Sequence, residues 1–216
     1  MIVETIPVGV FQCNCTILGC EATRQALVVD PGDDPERIIG VVRAHRLQVT
    51  AVVHTHAHLD HIMGTFGVVE ATGAPARLHR QDRRLWESVD AMAEQCGIPT
   101  PPTPELSTPL EDGDTIGFGE AHVRVIHTPG HTPGSCCFLF ERGDGTTVLL
   151  SGDTLFRGRI GTIHPYARRT AAPERLIASI RERLLTLDDD TRVVPGHGPD
   201  TCIGVERRSN PFLCGA

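Results

Sequence analysis

The chain has 216 residues, of which 40% are hydrophobic, and this is enough for one sizeable core. Its 20 basic and 27 acidic side chains give a formal net charge of −7, so the chain has no global attraction for a nucleic-acid backbone or an anionic membrane. All the basic residues are arginine, which excludes Schiff-base lysine chemistry. We predict a single domain over residues 1–216 that acts on a small molecule, with no nucleic-acid or membrane partner; the oligomeric state is left open.

The cysteine content predicts a reduced, cytoplasmic protein. Eight cysteines are present without a CxxC pair, and the N-terminus lacks the pattern of a secretory signal. Cys13 and Cys15 alternate along a predicted strand and share one face, but two thiols alone make a poor metal site, so we interpret them as strand residues. No window approaches about 18 apolar residues, which argues against a membrane span.

The predicted elements alternate between strands and helices. Short β-rich runs cover 2–8, 13–20 and 25–30, a helix follows from residue 33, and 48–55 returns to strand. An apolar stripe at helical spacing covers 81–96, and the five prolines of 97–109 predict a stiff surface connection or lid. Three further strands lie within 121–153, and a second helical stripe covers 176–184. This order predicts an α/β fold in which two sheets pack together with helices outside.

The stretch "VVHTHAHLDHIMG", residues 52–64, places five polar side chains directly after an apolar strand: His54, His56, His58, Asp60 and His61. His56 and His58 stand two apart, which suits an extended or tightly turned backbone that points both imidazoles at one ion. Asp60 and His61 follow on a turn or helix start that directs them to a second ion. Nitrogen and oxygen donors of this type suit Zn²⁺, and also Fe or Mn. The alternatives are a solvated histidine-rich loop or a helix cap at Asp60.

Three more strand ends favour the metal site over these alternatives. The segments "HTPGHTPGS", "SGDTLF" and "PGHGP" supply His131, Asp153 and His197, beside glycines that let the backbone approach closely. We interpret His54 and His127 as packing or supporting residues rather than ligands. Asp30, in "VVDPG", either holds the metal loop by hydrogen bonds or forms a turn.

The HxHxDH motif and its downstream His, Asp and His resemble those of a metallo-β-lactamase-fold hydrolase. Within that group the chain most resembles the short glyoxalase-II-like proteins, the YcbL-type hydroxyacylglutathione hydrolases, nearly end to end from "NCTIL" to "ERRSNPFL". The resemblance implies an αββα sandwich of two mixed β-sheets flanked by helices. It also implies that two divalent ions, Zn first, are held by His56, His58 and His131 on one side and Asp60, His61 and His197 on the other, bridged by Asp153.

The implied reaction is hydrolysis of a thioester by a metal-bridging hydroxide. Two divalent ions lower the pKa of a bound water toward about 7, which supplies a nucleophile at neutral pH. Asp60 takes a catalytic role as a hydrogen-bond acceptor that orients this nucleophile. The resemblance to glyoxalase II implies S-lactoylglutathione and related 2-hydroxyacyl thioesters as substrates.

The substrate residues depart from the family pattern. Relatives carry a basic residue where this chain has Thr162, and an acidic one where it has His164. We expect no C-terminal helical glutathione-binding domain, so glutathione specificity is in doubt. Arg157 and Arg159, with Arg168 and Arg169, form either a positive patch that binds carboxylates or phosphates of a thiol carrier, or a solvated loop. We therefore name Arg157, Arg159 and Thr162 as candidate substrate-binding residues.

Two rival functions use the same scaffold. Persulfide dioxygenases, which are oxidoreductases, hold a single iron on two His and one Asp. Lactone, β-lactam or nucleic-acid hydrolases form the second alternative, although β-lactamases lack the Asp60–His61 pairing in this form and the acidic composition disfavours a nuclease.

Overall fold

The strands and helices follow the predicted order in the computed structural model, which describes residues 1–161 and 173–214. The strands are β1 Ile2–Val8, β2 Cys13–Gly19, β3 Gln25–Val29, β4 Gln48–Val53, β5 Ala76–Arg77, β6 Thr115–Phe118, β7 Ala121–His127, β8 Cys136–Glu141, β9 Thr147–Gly152, β10 Leu155–Phe156, β11 Arg159–Ile160, β12 Arg192–Pro195 and β13 Thr201–Cys202. The α-helices are α1 Pro35–Ala44, α2 Leu59–Ile62, α3 Thr65–Thr72, α4 Arg83–Trp86, α5 Val89–Cys96, α6 Pro173–Ser179 and α7 Ile203–Ser209. A 3₁₀ turn, Arg80–Asp82, precedes α4, and a π-helical turn, Ile180–Leu184, continues α6.

Two mixed sheets carry the fold. The first has the order β1-β2-β3-β4-β5, antiparallel from β1 to β3 and parallel from β3 to β5. The second has the order β13-β12-β9-β8-β7-β6 and is antiparallel except where β12 pairs parallel to β9. Strands β10 and β11 form a separate hairpin.

Apolar side chains from both sheets fill the space between them. Leu27 and Val29 of β3 pack there with Phe138 of β8, while Val28 turns to the opposite face. Both faces of β3 are thus buried, which explains its continuous apolar run. The outer face of the first sheet packs against α1 and α3, and that of the second packs against α6 and α7. These layers confirm the predicted αββα sandwich.

The predicted helical stripe over 81–96 is not one helix. The chain forms the 3₁₀ turn, then α4, and restarts at α5 after Glu87 and Ser88. Trp86 and Val89 are buried as predicted, but Cys96 is exposed. The Ser88 hydroxyl donates to the Arg84 carbonyl at this break, a local bond that competes with continuing the helix.

The proline-rich segment 97–109 lies along the edge strand β5. Ser107 donates its backbone N–H to the Ala76 carbonyl, and Leu110 donates to that of Leu78. The segment therefore covers an edge that would otherwise expose unpaired backbone groups. Among the described helices, none is both long enough and apolar enough to cross a bilayer.

Candidate metal centre

The seven side chains predicted as ligands lie together at one edge of the sandwich, where strands of both sheets end. Four chain segments deliver them. The turn after β4 and the short helix α2 carry His56, His58, Asp60 and His61; the β7–β8 loop carries His131, and Asp153 and His197 follow β9 and β12. The side chains form three overlapping groups in which all ligand atoms lie within 4.8 Å of one another: His56, His58 and His131; His56, His61 and Asp153; Asp60, His61 and His197.

The first group consists of three imidazole nitrogens. His58 Nδ1 lies 3.1 Å from His56 Nε2 and 2.9 Å from His131 Nε2. Nitrogens bound tetrahedrally at the usual zinc distance are about 3.3 Å apart. Burial, then the charge of neighbouring imidazoles, lowers the pKa of His56 well below its ordinary value and that of His58 to about 3. Neutral imidazoles at this spacing are suited to a shared cation.

Asp60, His61 and His197, called the second group from here on, combine two imidazoles with a carboxylate. The Nε2 atoms of His61 and His197 are 3.3 Å apart, and Asp60 Oδ2 lies 3.0 Å from the Nε2 of His197. Burial raises the pKa of Asp60, but His61 and His197 outweigh it and lower the pKa overall. Asp60 is therefore a carboxylate that can serve as an anionic ligand or a hydrogen-bond acceptor.

Asp153 lies between the two groups and turns one oxygen to each. Its Oδ2 is 3.5 Å from His131 Nε2, whereas its Oδ1 is 3.4 Å from His61 Nε2. Asp153 Oδ1 is buried and accepts no hydrogen bond among the described residues. A buried carboxylate oxygen without a donor is rare and requires an explanation, and a cation between the imidazoles supplies one. The donor set therefore fits a pair of divalent ions bridged by Asp153.

Hydrogen bonds outside the cluster determine which ring nitrogen of His56 and of His61 faces inward. Asp30 Oδ2 accepts from Thr55 Oγ1 at 2.6 Å and lies 3.0 Å from His61 Nδ1. Because the Thr55 hydroxyl donates to Asp30, it can accept from His56 Nδ1, 3.1 Å away. Both Nδ1 atoms therefore carry a hydrogen, and both Nε2 atoms are directed into the site. Asp30 thus holds the metal loop, one of the two roles predicted for it.

The β1–β2 turn supports the remaining histidine of the second group. His197 Nδ1 lies 3.0 Å from the carbonyl of Phe11, which leaves its Nε2 directed at Asp60. Cys13 lies beneath His61, with Sγ 3.5 Å from Nδ1, and burial raises the pKa of its thiol to about 11. Cys13 is therefore a neutral packing residue, in agreement with the sequence interpretation.

The other two histidines of the motif region face away from the cluster. His54 is buried, with Nδ1 3.1 Å from the Arg77 carbonyl and Nε2 2.8 Å from Thr65 Oγ1. His127 Nε2 lies 2.9 Å from the Pro133 carbonyl, and its ring stacks on His79. Both therefore support neighbouring backbone, as predicted.

The candidate substrate residues are described only in part. Arg157 and Arg159 are exposed on the β10–β11 hairpin, directly after Asp153, and the Arg159 guanidinium lies 4.3 Å above the Phe156 ring. Thr162, His164, Arg168 and Arg169 lie outside the described residues. The structure therefore places two arginines on the hairpin that follows Asp153 in the chain, and the assignment of Thr162 stays a prediction.

One buried carboxylate beside the cluster was not predicted. Asp82 ends the 3₁₀ turn and accepts hydrogen bonds from Ala57 N, Thr132 Oγ1 and Gly134 N. It stands alone in a polar segment, "RQDRR", with no spacing that relates it to the metal motif. Only the three-dimensional arrangement reveals that Asp82 joins two ligand-bearing loops.

The comparisons with known proteins agree with this arrangement. A family model described as the metallo-beta-lactamase superfamily matches residues 8–197. An uncharacterized protein of Mycobacterium leprae, ML0493, is 39% identical over the full length of both chains. The hydroxyacylglutathione hydrolase GloC of Haemophilus influenzae is 34% identical, over 99% of this chain and 98% of that protein.

Solved structures with a similar fold carry different names. The B3 metallo-beta-lactamase BLEG-1 superposes with a TM-score of 0.88 at 33% identity, covering 99% of this chain and all of that one. TTHA1623, in a di-iron-bound form, gives 0.82 at 38% identity, over 98% of this chain and all of that one. ETHE1 from Myxococcus xanthus gives 0.79 at 27% identity, over 98% and 84% respectively.

Proposed function

The chain belongs to the metallo-beta-lactamase superfamily, a superfamily of metallo-hydrolases, and from that premise we propose that it hydrolyses thioesters at a dinuclear metal centre. The observation that carries the proposal is the position of Asp153, which turns one oxygen toward each ligand group. His56, His58 and His131 would hold one ion and Asp60, His61 and His197 the other. Zinc suits these donors, and the di-iron form of TTHA1623 supports iron as the alternative.

When bound to these residues, two divalent ions would supply a water of lowered pKa and would polarise a carbonyl oxygen. Side chains of the protein orient the histidine ligands and the attacking water. Asp30 and Thr55 orient His61 and His56, so the inward nitrogens are preset before an ion binds. The Asp60 side chain is 25% exposed, so its carboxylate can accept a hydrogen bond from the attacking water and orient it. The products are a carboxylic acid and a thiol.

The name of the GloC relative supports a hydroxyacyl thioester of glutathione as substrate. Arg157 and Arg159 are the described cations on the hairpin that follows Asp153, and guanidinium groups suit the carboxylates or phosphates of a thiol carrier. We propose a small-molecule thioester as the partner. The eight cysteines all lie in the described residues and are free, which supports a reduced, cytoplasmic setting.

The test combines substrates with metal quantification. Lactoyl thioesters of glutathione, coenzyme A and a neutral thiol are assayed anaerobically while the metal content is measured on the same preparation. We expect thiol release from at least one thioester and about two ions per chain. Absence of hydrolysis of all three by protein that holds two ions would overturn the thioesterase proposal.

The likeness to ETHE1 favours one rival, an iron-dependent persulfide dioxygenase. That activity consumes oxygen and uses a single iron, so oxygen uptake with a persulfide substrate, by protein that holds one iron per chain, identifies it. The likeness to BLEG-1 supports a β-lactam hydrolase, which a chromogenic β-lactam added to the same substrate panel tests.

A further inference from the structure

Asp82 forms a three-way connection between two ligand-bearing loops. Its Oδ2 accepts from the Ala57 backbone N–H at 3.2 Å, and Ala57 lies between His56 and His58. The same oxygen accepts from the Thr132 hydroxyl at 2.6 Å, and its Oδ1 accepts from Gly134 N at 2.6 Å. Thr132 directly follows His131. One carboxylate therefore bonds to the chain next to every ligand of the first group.

The Asp82 carboxylate fits here because the residue opposite it, Gly134, has no side chain. A Cβ at Gly134 would lie 2.7 Å from both the Cγ and the backbone nitrogen of Asp82, closer than atoms tolerate. The glycine of the second "TPG" in "HTPGHTPGS" therefore serves the approach of Asp82. A second connection, from Cys136 N to the Thr55 carbonyl at 2.7 Å, joins the same loops at their bases rather than beside the ligands.

The charge of Asp82 has no cationic partner among the described side chains. Asp82 is fully buried and forms no ion pair with a described Arg or His. Burial raises its pKa to about 6, although the bonds from Thr132, Gly134 and Ala57 oppose the rise. It is therefore mainly ionised at neutral pH. A buried anion held by neutral donors is costly, and a divalent cation bound to the first group would offset part of this cost.

Asp30 supports members of both ligand groups, whereas the hydrogen bonds of Asp82 reach only the chain around the first group. Asp30 bonds to His61 and, through Thr55, reaches His56. Within residues 1–161 and 173–214, Asp82 forms no hydrogen bond with His61 or with a residue beside His197, and its side-chain bonds reach the chain around His56, His58 and His131. Loss of either carboxylate should therefore affect the two halves of the centre unequally.

We propose that Asp82 is a positioning residue that sets the separation of His58 and His131, and so controls the affinity of the first metal site without controlling the second. The inference rests on the proposed dinuclear centre. It assigns to Asp82 no contact with substrate or ion: it acts through the backbone of the two loops.

The test is a metal titration of Asp82→Asn, which keeps the side-chain size but replaces one acceptor oxygen with an amide. Co²⁺ is titrated against a competing chelator, and the visible spectrum of each bound ion is recorded. Variants His131→Ala and His197→Ala provide reference spectra for protein that retains only the second or only the first site. We expect one site to weaken by about ten- to a hundredfold, as is typical for residues that support metal ligands. The remaining high-affinity spectrum should match that of His131→Ala.

Glu206→Gln is the matched control. Glu206 is also fully buried and accepts three hydrogen bonds, from Thr201 Oγ1 at 2.6 Å, Gly158 N at 2.9 Å and Asn210 Nδ2 at 2.7 Å. Its loss should lower the free energy of unfolding without favouring one site over the other. If Asp82→Asn does not fold, Thr132→Val removes one donor at constant shape and should weaken the same site by a smaller factor.

Three results would overturn the proposal: two ions bound by the folded Asp82 or Thr132 variant with wild-type affinity, equal weakening of both sites, or the same selective pattern in Glu206→Gln. The titration uses no thioester, so a failure of the proposed activity leaves its outcome intact. If the wild type binds a single ion that depends on His131, Asp82→Asn must weaken that ion, and unchanged affinity contradicts the inference.

Discussion

Asp30 and His61 form a buried carboxylate–imidazole pair in which Oδ2 lies 3.0 Å from Nδ1. Asp30 adopts a left-handed backbone conformation, with φ of 50°, that places its side chain under the metal loop. The next residues continue this close approach, because a Cβ at Gly32 would overlap the carbonyl of Asp60. The turn after β3 therefore supports both acidic and imidazole ligands of the second group.

We predict that Asp30→Asn weakens the second metal site. Asparagine keeps the size but loses the charge that favours the Nδ1–H tautomer of His61, so metal affinity should fall by about ten- to a hundredfold. Competition between protein and chelator for Zn²⁺ measures the change. Asp200→Asn, which removes a carboxylate from an ion pair with Arg192 at the surface, is the control and should bind normally. Equal affinities of the two variants would contradict the role of Asp30.

Because the ligands form two groups, removing one histidine from each group should empty a different metal site. His131→Ala should empty the site formed with His56 and His58, and His197→Ala should empty the site formed with Asp60 and His61. Each variant should hold about one ion per chain, with different Co²⁺ spectra. Elemental analysis that finds a single ion in active wild-type protein, unchanged in His197→Ala, would remove the dinuclear arrangement.

The sequence indicated the seven candidate ligands, which the structure brings together, because they follow apolar strands and lie beside glycines. The apolar runs before His56, His131, Asp153 and His197 have a period or length typical of buried strands, and parallel or neighbouring strand ends converge. Local pattern therefore indicated two packed sheets with helices outside and polar side chains at strand ends, whereas the αββα layers and the assignment of seven ligands came from the resemblance to the metallo-β-lactamase fold.

The supporting residues were less accessible to sequence reasoning. Asp82 comes from a 3₁₀ turn 50 residues before Thr132, its partner, and no periodicity relates the two. The break between α4 and α5 was missed for a similar reason, because the apolar stripe continues across Glu87 and Ser88 while local hydrogen bonds end the helix. A hydrophobic pattern predicts neither contacts between residues far apart in the chain nor local hydrogen bonds that end a helix.

Asp60 is expected to be the residue whose charge matters most for turnover. Its Oδ2 lies 3.0 Å from His197 Nε2, and Asp60→Asn preserves the shape while removing a negative charge from the cleft. We predict a fall in kcat of more than about 10²-fold, comparable to the loss of a principal electrostatic contributor. The measurement is steady-state kinetics on protein shown by elemental analysis to hold two ions. Near-normal turnover under that condition would contradict the role.

The buried state of Asp82 predicts a pH-dependent difference in stability. Burial raises its pKa from 3.8 to about 6, so the folded chain binds more protons than the unfolded chain between these values. Asp82 therefore contributes about 3 kcal/mol to the free energy of unfolding. This contribution is fully present below about pH 4 and is lost as the pH rises through about 6. Asp82→Asn does not titrate. The free energy of unfolding of both proteins is measured with urea at each pH, with chelator present. The wild-type value minus the variant value should fall over this pH range, and a constant difference would exclude the pKa shift.

The substrate preference should depend on the cations of the β10–β11 hairpin. The resemblance stated from the sequence implies a basic residue where this chain has Thr162, and the loss of one charge-assisted hydrogen bond costs about 1.5 to 3 kcal/mol, or about ten- to a hundredfold in affinity. Lactoylglutathione should then show a high KM with detectable turnover. Thr162→Arg should lower KM rather than raise kcat, because this contact lies away from the reacting carbonyl and binds ground and transition states alike.

Arg157 offers an alternative source of the same contact. Both arginines are exposed on the hairpin that follows Asp153 in the chain, and Arg159 stacks on Phe156. If Arg157 already binds the carboxylate of the thiol, Arg157→Ala raises KM about ten- to a hundredfold and Thr162→Arg has little effect. The control variant is Arg142→Ala, on the β8–β9 turn at the opposite end of β9, and the control substrate is a lactoyl thioester of a thiol without a carboxylate. Neither control should change KM. The KM for lactoylglutathione could instead be in the low micromolar range and unchanged by the substitutions at 157, 159 and 162. Glutathione would then be bound well by other groups, which would contradict both the role of Thr162 and that of Arg157.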